Sequence, residues 1–552
     1  MAERLAKELP TESTCWVTLV LAEDYRIVAN REKLVRSSHY FASLFSTNFN
    51  DYLCTEININ YDISPDILQD FVDWTAEANN KGTVAEETKC LDKYRMDNNY
   101  TGLMDLLELS VLFAAENLSE RLTDIIVEHW LLVKNVLSIW LFAHDLNLRS
   151  LRDVAFAMCL DRLEELPVSL LLKLCQVHFV QLVGNVNARC RNNSFLRDLT
   201  EQWIQRNIDN GILPANMAIL RSVQSMIAGS ENQCNMGKRK YLHCVVGSKI
   251  GEKGVIRKAC IFRWDGERLS TLIDETNRDC DILGMVKDLV GMQVVGRDFS
   301  IYFVGGEQGL GTGRFNTIIW RYCLILKKFY RFSSLLEPRR HMAVEFIDNN
   351  FMAVAGGVGR HRLKLSTMNI LNIHTGVWIK AANIPEDFTE VISTCVVGSK
   401  LLLYKSALHA YDLKTDTWST VWPTLVTESD TSTRKLNVAQ FLMCYKNMLY
   451  ICDSTSGSRT CLWMIDDIAN PVARIVFEFS TLHQIHVANG AQLIGFAHDR
   501  ETVTVEIGMI GDNNVYLYGL YTTRAQDLDM LRFEVRMGSF NVIDPESLYR
   551  QN

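Results

Sequence analysis

The chain has 552 residues, 48% of them hydrophobic, and at roughly 100–200 residues per domain that length calls for three to five folded units. A formal charge of −8 leaves no electrostatic footprint for nucleic acid, which asks for a basic stripe or face. The opening MAERLAKELP carries charges where a secretory signal needs an apolar core, and no run approaches the ~20 apolar residues of a membrane span, so an intracellular chain with no membrane partner is expected.

Residues 15 to 78 mix short strands and helices. VTLVLA at 17–22 is a β-branched apolar run, EDY can turn, and RIVA at 26–29 returns, which predicts a hairpin. Leu34, Val35, Phe41, Leu44 and Phe45 then recur at helical spacing. SPDILQDFVDW at 64–74 offers Ser64 as a cap, Pro65 at the first helical position and Ile67, Leu68, Phe71 and Val72 on a buried face. From 77 to 98 the chain is polar and weakly periodic, and reads as an exposed excursion.

From 99 to 228 the pattern is helical. Two long stretches within 103–163 keep apolar residues at i, i+3 and i+4 without Gly or Pro, and LRDLTEQWIQRNI with Trp203 and MAILRSVQSMI continue the pattern, predicting a bundle or short solenoid of helix pairs. The 15 cysteines are scattered, with no C-x-x-C pair, so reduced thiols are expected and a zinc site is not. Cys444 and Cys452 flank one predicted strand and make a weak disulfide candidate.

After 240 strands dominate, with a repeat. SIYFVGG at 300–306 and FMAVAGG at 351–357 each end an apolar strand on a Gly pair, and MNILNIHTGVW recurs as LHAYDLKTDTW, ending on Trp378 and Trp418. Weaker copies before and after bring the total to about six. A strand, Gly-Gly, strand, turn, Trp cycle is one four-stranded sheet, and sheets arranged about an axis bury each other's faces. The repeated glycines, Gly305, Gly306, Gly356 and Gly357, read as positions of positive φ or close strand approach, and the two tryptophans as packing between sheets.

The order of regimes resembles the BTB-BACK-Kelch (Kelch-like) family over nearly the whole chain. The residues that carry the resemblance are VTLVLAEDYRIVANREKLVRSSHYFASLF, then LLELSVLFAAENL and EQWI, then YFVGG, AVAGG and YDLKTDTW. The resemblance implies a BTB-like α/β domain over 1–98, an all-α BACK-like domain over 99–228 and an all-β Kelch-like propeller over 238–545. It further implies homodimerisation through the first domain, cytoplasmic location with nuclear access left open, and no cofactor. The loop after YFASLF carries a hydrophobic-x-acid pattern in this family, and Phe49, Asn50 and Asp51 stand there as candidates to contact cullin-3. The alternative is that Phe49 folds back onto its helix and Asp51 caps the next segment. Two departures are noted: Trp16 and Asn30 stand where the family usually has Asp and His.

Loops at one end of a propeller are where recognition sits. Those loops hold Arg314, Arg339, Arg340, Arg360, His361 and Arg362, with His341 nearby, and clustered guanidiniums would suit an acidic or phosphorylated segment of a target protein; a solvated rim is the other reading. No nucleophile elbow, phosphate loop or H-E-x-x-H motif appears, so no catalysis is expected. Two functions stay open: a substrate adaptor of a cullin-3 ubiquitin ligase, and a scaffold that binds cytoskeletal or other partners and self-associates through its BTB-like domain.

Overall fold

The computed structural model describes residues 15–21, 25–47, 54–78, 89–95, 99–190, 193–209, 239–250, 257–273, 289–421, 424–426, 439–454, 460–479, 485–489, 492–498, 501–511, 514–528 and 534–551. The chain divides into two compact units, residues 1–170 and 171–552.

In the first unit the hairpin forms between Trp16–Val20 and Arg26–Asn30, and Glu56–Asn58 joins the first strand in parallel. Asn30 ends the second strand and caps the helix Arg31–Ser37, its side chain accepting from the Lys33 amide at 3.0 Å; that satisfies one orphan donor of the first turn. Ser38 does the same for the next helix, His39–Leu44, and its hydroxyl also donates to the Phe113 carbonyl at 2.5 Å. The apolar face of that helix enters an aromatic core, with the Phe113 ring 5.0 Å from Phe41 and 5.1 Å from Phe71 in edge contacts. Pro65–Ala78 is helical from the proline, as its sequence predicts. Within the expected polar excursion the structure differs: Lys89–Arg95 is a 3-10 helix that buries Leu91 and Tyr94. Tyr94 is held by Asp70 through its hydroxyl and by the Trp130 indole through its carbonyl, so two apolar residues in a polar stretch are enough to dock it. The helices Tyr100–Leu112, Glu116–Ile125, Val133–Asp145 and Arg149–Asp161 come next.

The second unit opens with helical residues and continues into strands. In Asn193–Asp209, Trp203 is buried, stacks on Phe179 at 4.6 Å and donates to the Leu174 carbonyl at 3.0 Å. The predicted continuation at 217–227 lies outside the described residues. Between these helices and the strands, the segment 182–188 is buried. It is fastened by Asn185 and Asn187, which donate to the Leu548 and Ser547 carbonyls at 2.8 Å each, and by the Arg239 guanidinium on the carbonyls of 186–188.

Among the described residues, six four- or five-stranded sheets, antiparallel except for one added edge strand, make up most of the strand region, and we number them as blades one to six along the chain. Their inner strands are Glu534–Ile543, Gln293–Arg297, Ala343–Ile347, Ser393–Val397, Ala439–Tyr445 and Ile485–Asn489. Each inner strand touches the next, and the last touches the first, so the ring closes. Six apolar clusters fill the six junctions, from Val246, Ile301 and Phe303 between blades one and two to Phe262, Trp264, Val503 and Val505 between six and one. Blade one is built from both ends of the region: Glu534–Ile543 pairs with Tyr241–Ile250, ahead of Arg257–Trp264 and Leu269–Ile273. Backbone pairing between segments about 300 residues apart thus closes the propeller. Cys444 and Cys452 are free thiols.

Candidate functional site

Two surfaces are candidates for partner binding, one in each unit. On the first unit, Trp16 is 54% and Val28 60% exposed on the hairpin, two apolar side chains in water. Trp16 stands opposite Asn30 in the hairpin. Asn30, which departs from the resembled pattern, is accounted for locally by its capping role. Phe49, Asn50 and Asp51 lie outside the described residues. Just before them, Phe45 is buried beneath the Arg31 guanidinium, 4.5 Å from its ring centre.

The second surface is one end of blades two and three, and the structure divides its basic residues into two groups. Arg339 and Arg340 turn inward. Arg339 is 1% exposed and donates to the Gly356 and Thr367 carbonyls at 3.2 and 3.1 Å, to the Thr367 hydroxyl at 3.1 Å and to Glu337 at 2.8 Å. Arg340 is buried against the buried carboxylate of Glu307, at 3.1 Å. The expectation that these two guanidiniums face a partner is therefore corrected: Arg339 fastens blade three to the segment that leads into it, and Arg340 ties that segment to Glu307 of blade two. The reason is the glycine pairs. Gly305 and Gly306 have φ of +65° and +96°, Gly356 and Gly357 +61° and +88°. A Cβ on Gly305 would lie 2.7 Å from the Arg339 carbonyl, and one on Gly357 2.5 Å from that of Arg340. With no side chains in the way, the backbone of 339–340 sinks between the blades and carries its side chains with it. His341 is half-buried: that burial holds its imidazole below the usual pKa, and Nδ1 lies 2.8 Å from the Thr389 carbonyl.

Arg314, Arg360, His361 and Arg362 are exposed, joined by Lys364, which the sequence alone does not single out. Two loops carry them. The Glu307 carboxylate accepts from the amides of Gly311 at 3.1 Å and Gly313 at 2.7 Å, pinning the loop that ends in Arg314. The other loop is fixed at its base by paired bridges, Arg340 with Val358 and Val358 with Lys364, and by the Gly359 amide on the Leu363 carbonyl at 2.8 Å. The loops meet where the Arg362 Nη2 lies 3.7 Å from the position of a Cβ on Gly311. Leu310 and Leu363 are exposed among these cations.

His361 and Arg362 have φ of +55° and +59°, two successive non-glycine residues in the left-handed region, each costing on the order of 1–2 kcal/mol. The hairpin turns at Asp348–Asn349 and Lys446–Asn447 hold two successive residues in the same region. Glu307 was missed by sequence reasoning although a signal was present, an acid directly ahead of the amides of a Gly-x-Gly-x-Gly run. Trp418 donates to the Ala382 carbonyl at 3.1 Å from the cluster between blades three and four, and Trp378 packs against the cluster between two and three.

No curated protein matches the chain by sequence. A family model does match part of it, the BTB/POZ domain, over residues 6–124. That span takes in the capped helices, the aromatic core and the exposed hairpin described above, so the chain carries a BTB/POZ domain, a module of protein interaction and dimerisation, ahead of its strand-rich C-terminal region.

Proposed function

We propose that the protein is a non-catalytic adaptor that self-associates and binds cullin-3 through its BTB/POZ domain and presents a target protein on its propeller for ubiquitin transfer. Chemistry then belongs to the recruited ligase, and this chain supplies proximity. The observation that carries the reading is one chain holding both a BTB/POZ domain and a strained, exposed cationic loop, Arg360–Arg362, beside the pinned Arg314 loop. The resemblance to BTB-BACK-Kelch proteins supports the partner on the first domain, with Phe49 as an aromatic anchor worth about 2 kcal/mol or more and Asp51 as its orienting acid. On the propeller, guanidiniums flanked by Leu310 and Leu363 suit an acidic segment with an apolar residue in it. The cytoplasm, with the nucleus as a second compartment, is where such an adaptor works.

Calorimetric titration of the full chain with the cullin-3 amino-terminal domain tests this. Micromolar or tighter binding, lost in folded Phe49→Ala and Asp51→Lys variants, supports the adaptor. No heat with the unaltered chain overturns it in favour of a scaffold, which the exposed Trp16 and Val28 pair would serve equally well by self-association.

A further inference from the structure

The outermost strand of blade six, Val515–Arg524, differs from the outer strands of the other five blades. Sheets protect their free edges with short strands, charges or a covering segment. Blade three ends on the four residues Trp378–Ala381 with Lys380, and blade two on Lys328–Ser334 with Lys328 and Arg331. Blades one and four end on five residues each, Leu269–Ile273 and Thr417–Val421. In blade five, Thr424–Val426 pairs in parallel with Val472–Phe479 and covers the edge. Among the described residues, blade six has neither a short edge strand nor a cover, and its one protective device is a bulge at Tyr518. Its edge strand runs ten residues, VYLYGLYTTR, without a charge before Arg524, and among the described residues nothing pairs with its outer side. Leu520 is 66% exposed and Tyr516 and Tyr518 59% each; Leu517 and Tyr521 are 38% exposed, the Tyr521 ring leaning on Trp264 of blade one at 5.0 Å.

The register gives this strand a symmetric pattern. Leu517 and Leu520 stand opposite Gly508 and Glu506 on one face; Tyr516 and Tyr521 stand opposite Met509 and Val505 on the other. An irregularity at Ile507/Gly508 leaves Tyr518 unpaired and brings residues three and five apart onto common faces. A two-fold axis normal to the sheet between Tyr518 and Gly519 therefore sets Leu517 opposite Leu520 of a second copy, and Tyr516 opposite Tyr521 of that copy. Isologous contacts need this self-complementarity, and a charge-free stretch brings no like charges together. An extended segment of another protein would need no symmetry.

We propose that this edge is a homotypic contact: Val515–Arg524 pairs antiparallel with the same strand of a second copy, continuing blade six into a single sheet across two molecules. Matched leucine and tyrosine pairs and the main-chain bonds of the added strand hold it. The contact is separate from the BTB/POZ domain, so a chain that also associates there would form species larger than a dimer.

Mass photometry and sedimentation of the full chain, with hydrogen exchange at several protein concentrations, test it. The expected results are one association step lost in Leu520→Lys and kept in Leu520→Ile, and exchange at 515–524 slowing about tenfold or more as the unaltered chain associates. A folded Leu520→Lys with unchanged masses, or exchange at 515–524 that does not vary with concentration, overturns it. Capture of an extended peptide at this edge with no change in mass also overturns it, by assigning the edge to another occupant. Val28→Arg scores the BTB/POZ contact separately: if that contact is absent, Val28→Arg leaves the masses unchanged while Leu520→Lys still lowers them.

Discussion

Arg339 and Arg340 lie about twenty residues before Arg360 and Arg362, on the same end of the same two blades, and their fates are opposite. The first pair is enclosed, bonded to carbonyls, a hydroxyl and two carboxylates. The second pair stands in water on a loop whose backbone is strained to hold it there. Residue type does not distinguish them. The neighbouring backbone does: Gly305 and Gly357 leave room for 339–340 to sink, whereas 360–362 cross an exposed turn. An arginine count over these loops therefore measures two things at once, the fastening of the blades and the charge offered to a partner.

Removing one partner of a buried ion pair strands the other, so Arg340→Ala should cost about 3–5 kcal/mol, against about 0.5 kcal/mol or less for Arg362→Ala. Urea midpoints of the full chain with a probe in the propeller measure both, and equal shifts would erase the distinction. Next in size is Gly357→Ala, which combines a left-handed backbone with a 2.5 Å approach to the Arg340 carbonyl, for about 3 kcal/mol. Gly376, at φ +71° with nothing within 4 Å, is the control, and Gly376→Ala should cost only about 1 kcal/mol. Thermal unfolding of the pair separates the steric from the backbone effect.

Two glutamates sharpen the comparison further. Glu307 has Arg340 and two glycine amides; Glu345, on the inner strand of blade three, has the Thr394 hydroxyl at 2.7 Å. Burial pushes the Glu345 carboxyl up from 4.5 to about 7, with the threonine bond opposing. The folded chain thus keeps this proton longer than the unfolded chain. Its contribution to stability is full below the unfolded pKa, falls as pH rises from there through about 7, and stays low above. Glu345→Gln should flatten that decline and stabilise the chain at alkaline pH; parallel stability curves for the two proteins from about pH 5 to 8 would count against it. The smallest effect on stability is expected for Arg360→Glu with Arg362→Glu, about 0.5 kcal/mol or less. The same double variant should abolish binding of an acidic peptide to the cationic end, read by fluorescence anisotropy.

Much of the fold was legible in the chain itself. Period-two and period-3.6 patterns located the hairpin, the helical stretch and the strands, because alternation and helical spacing report which side of an element is buried. Pro65 marked a helix start, and the repeated Gly pairs marked positions that only glycine tolerates. Local signals failed where a segment's fate was decided by distant neighbours. Leu91 and Tyr94 looked like part of a polar excursion until Asp70 and Trp130 were beside them. The strand Glu534–Ile543 belongs to blade one through pairing with Tyr241–Ile250, which no periodicity announces.

The candidate site divides in the same way. Sequence placed the exposed cations on propeller loops, since loop position follows from the strands around it. It could not say which arginines face water, which acid pins the Gly-rich loop, or that the aromatic run Tyr516–Tyr521 forms an edge with nothing over it. Sequence determined the order of domains, the elements within them and the residue chemistry available, because these depend on neighbours a few positions away. Tertiary structure alone decided burial, pairing and ring closure, because these depend on residues brought together from tens to hundreds of positions apart.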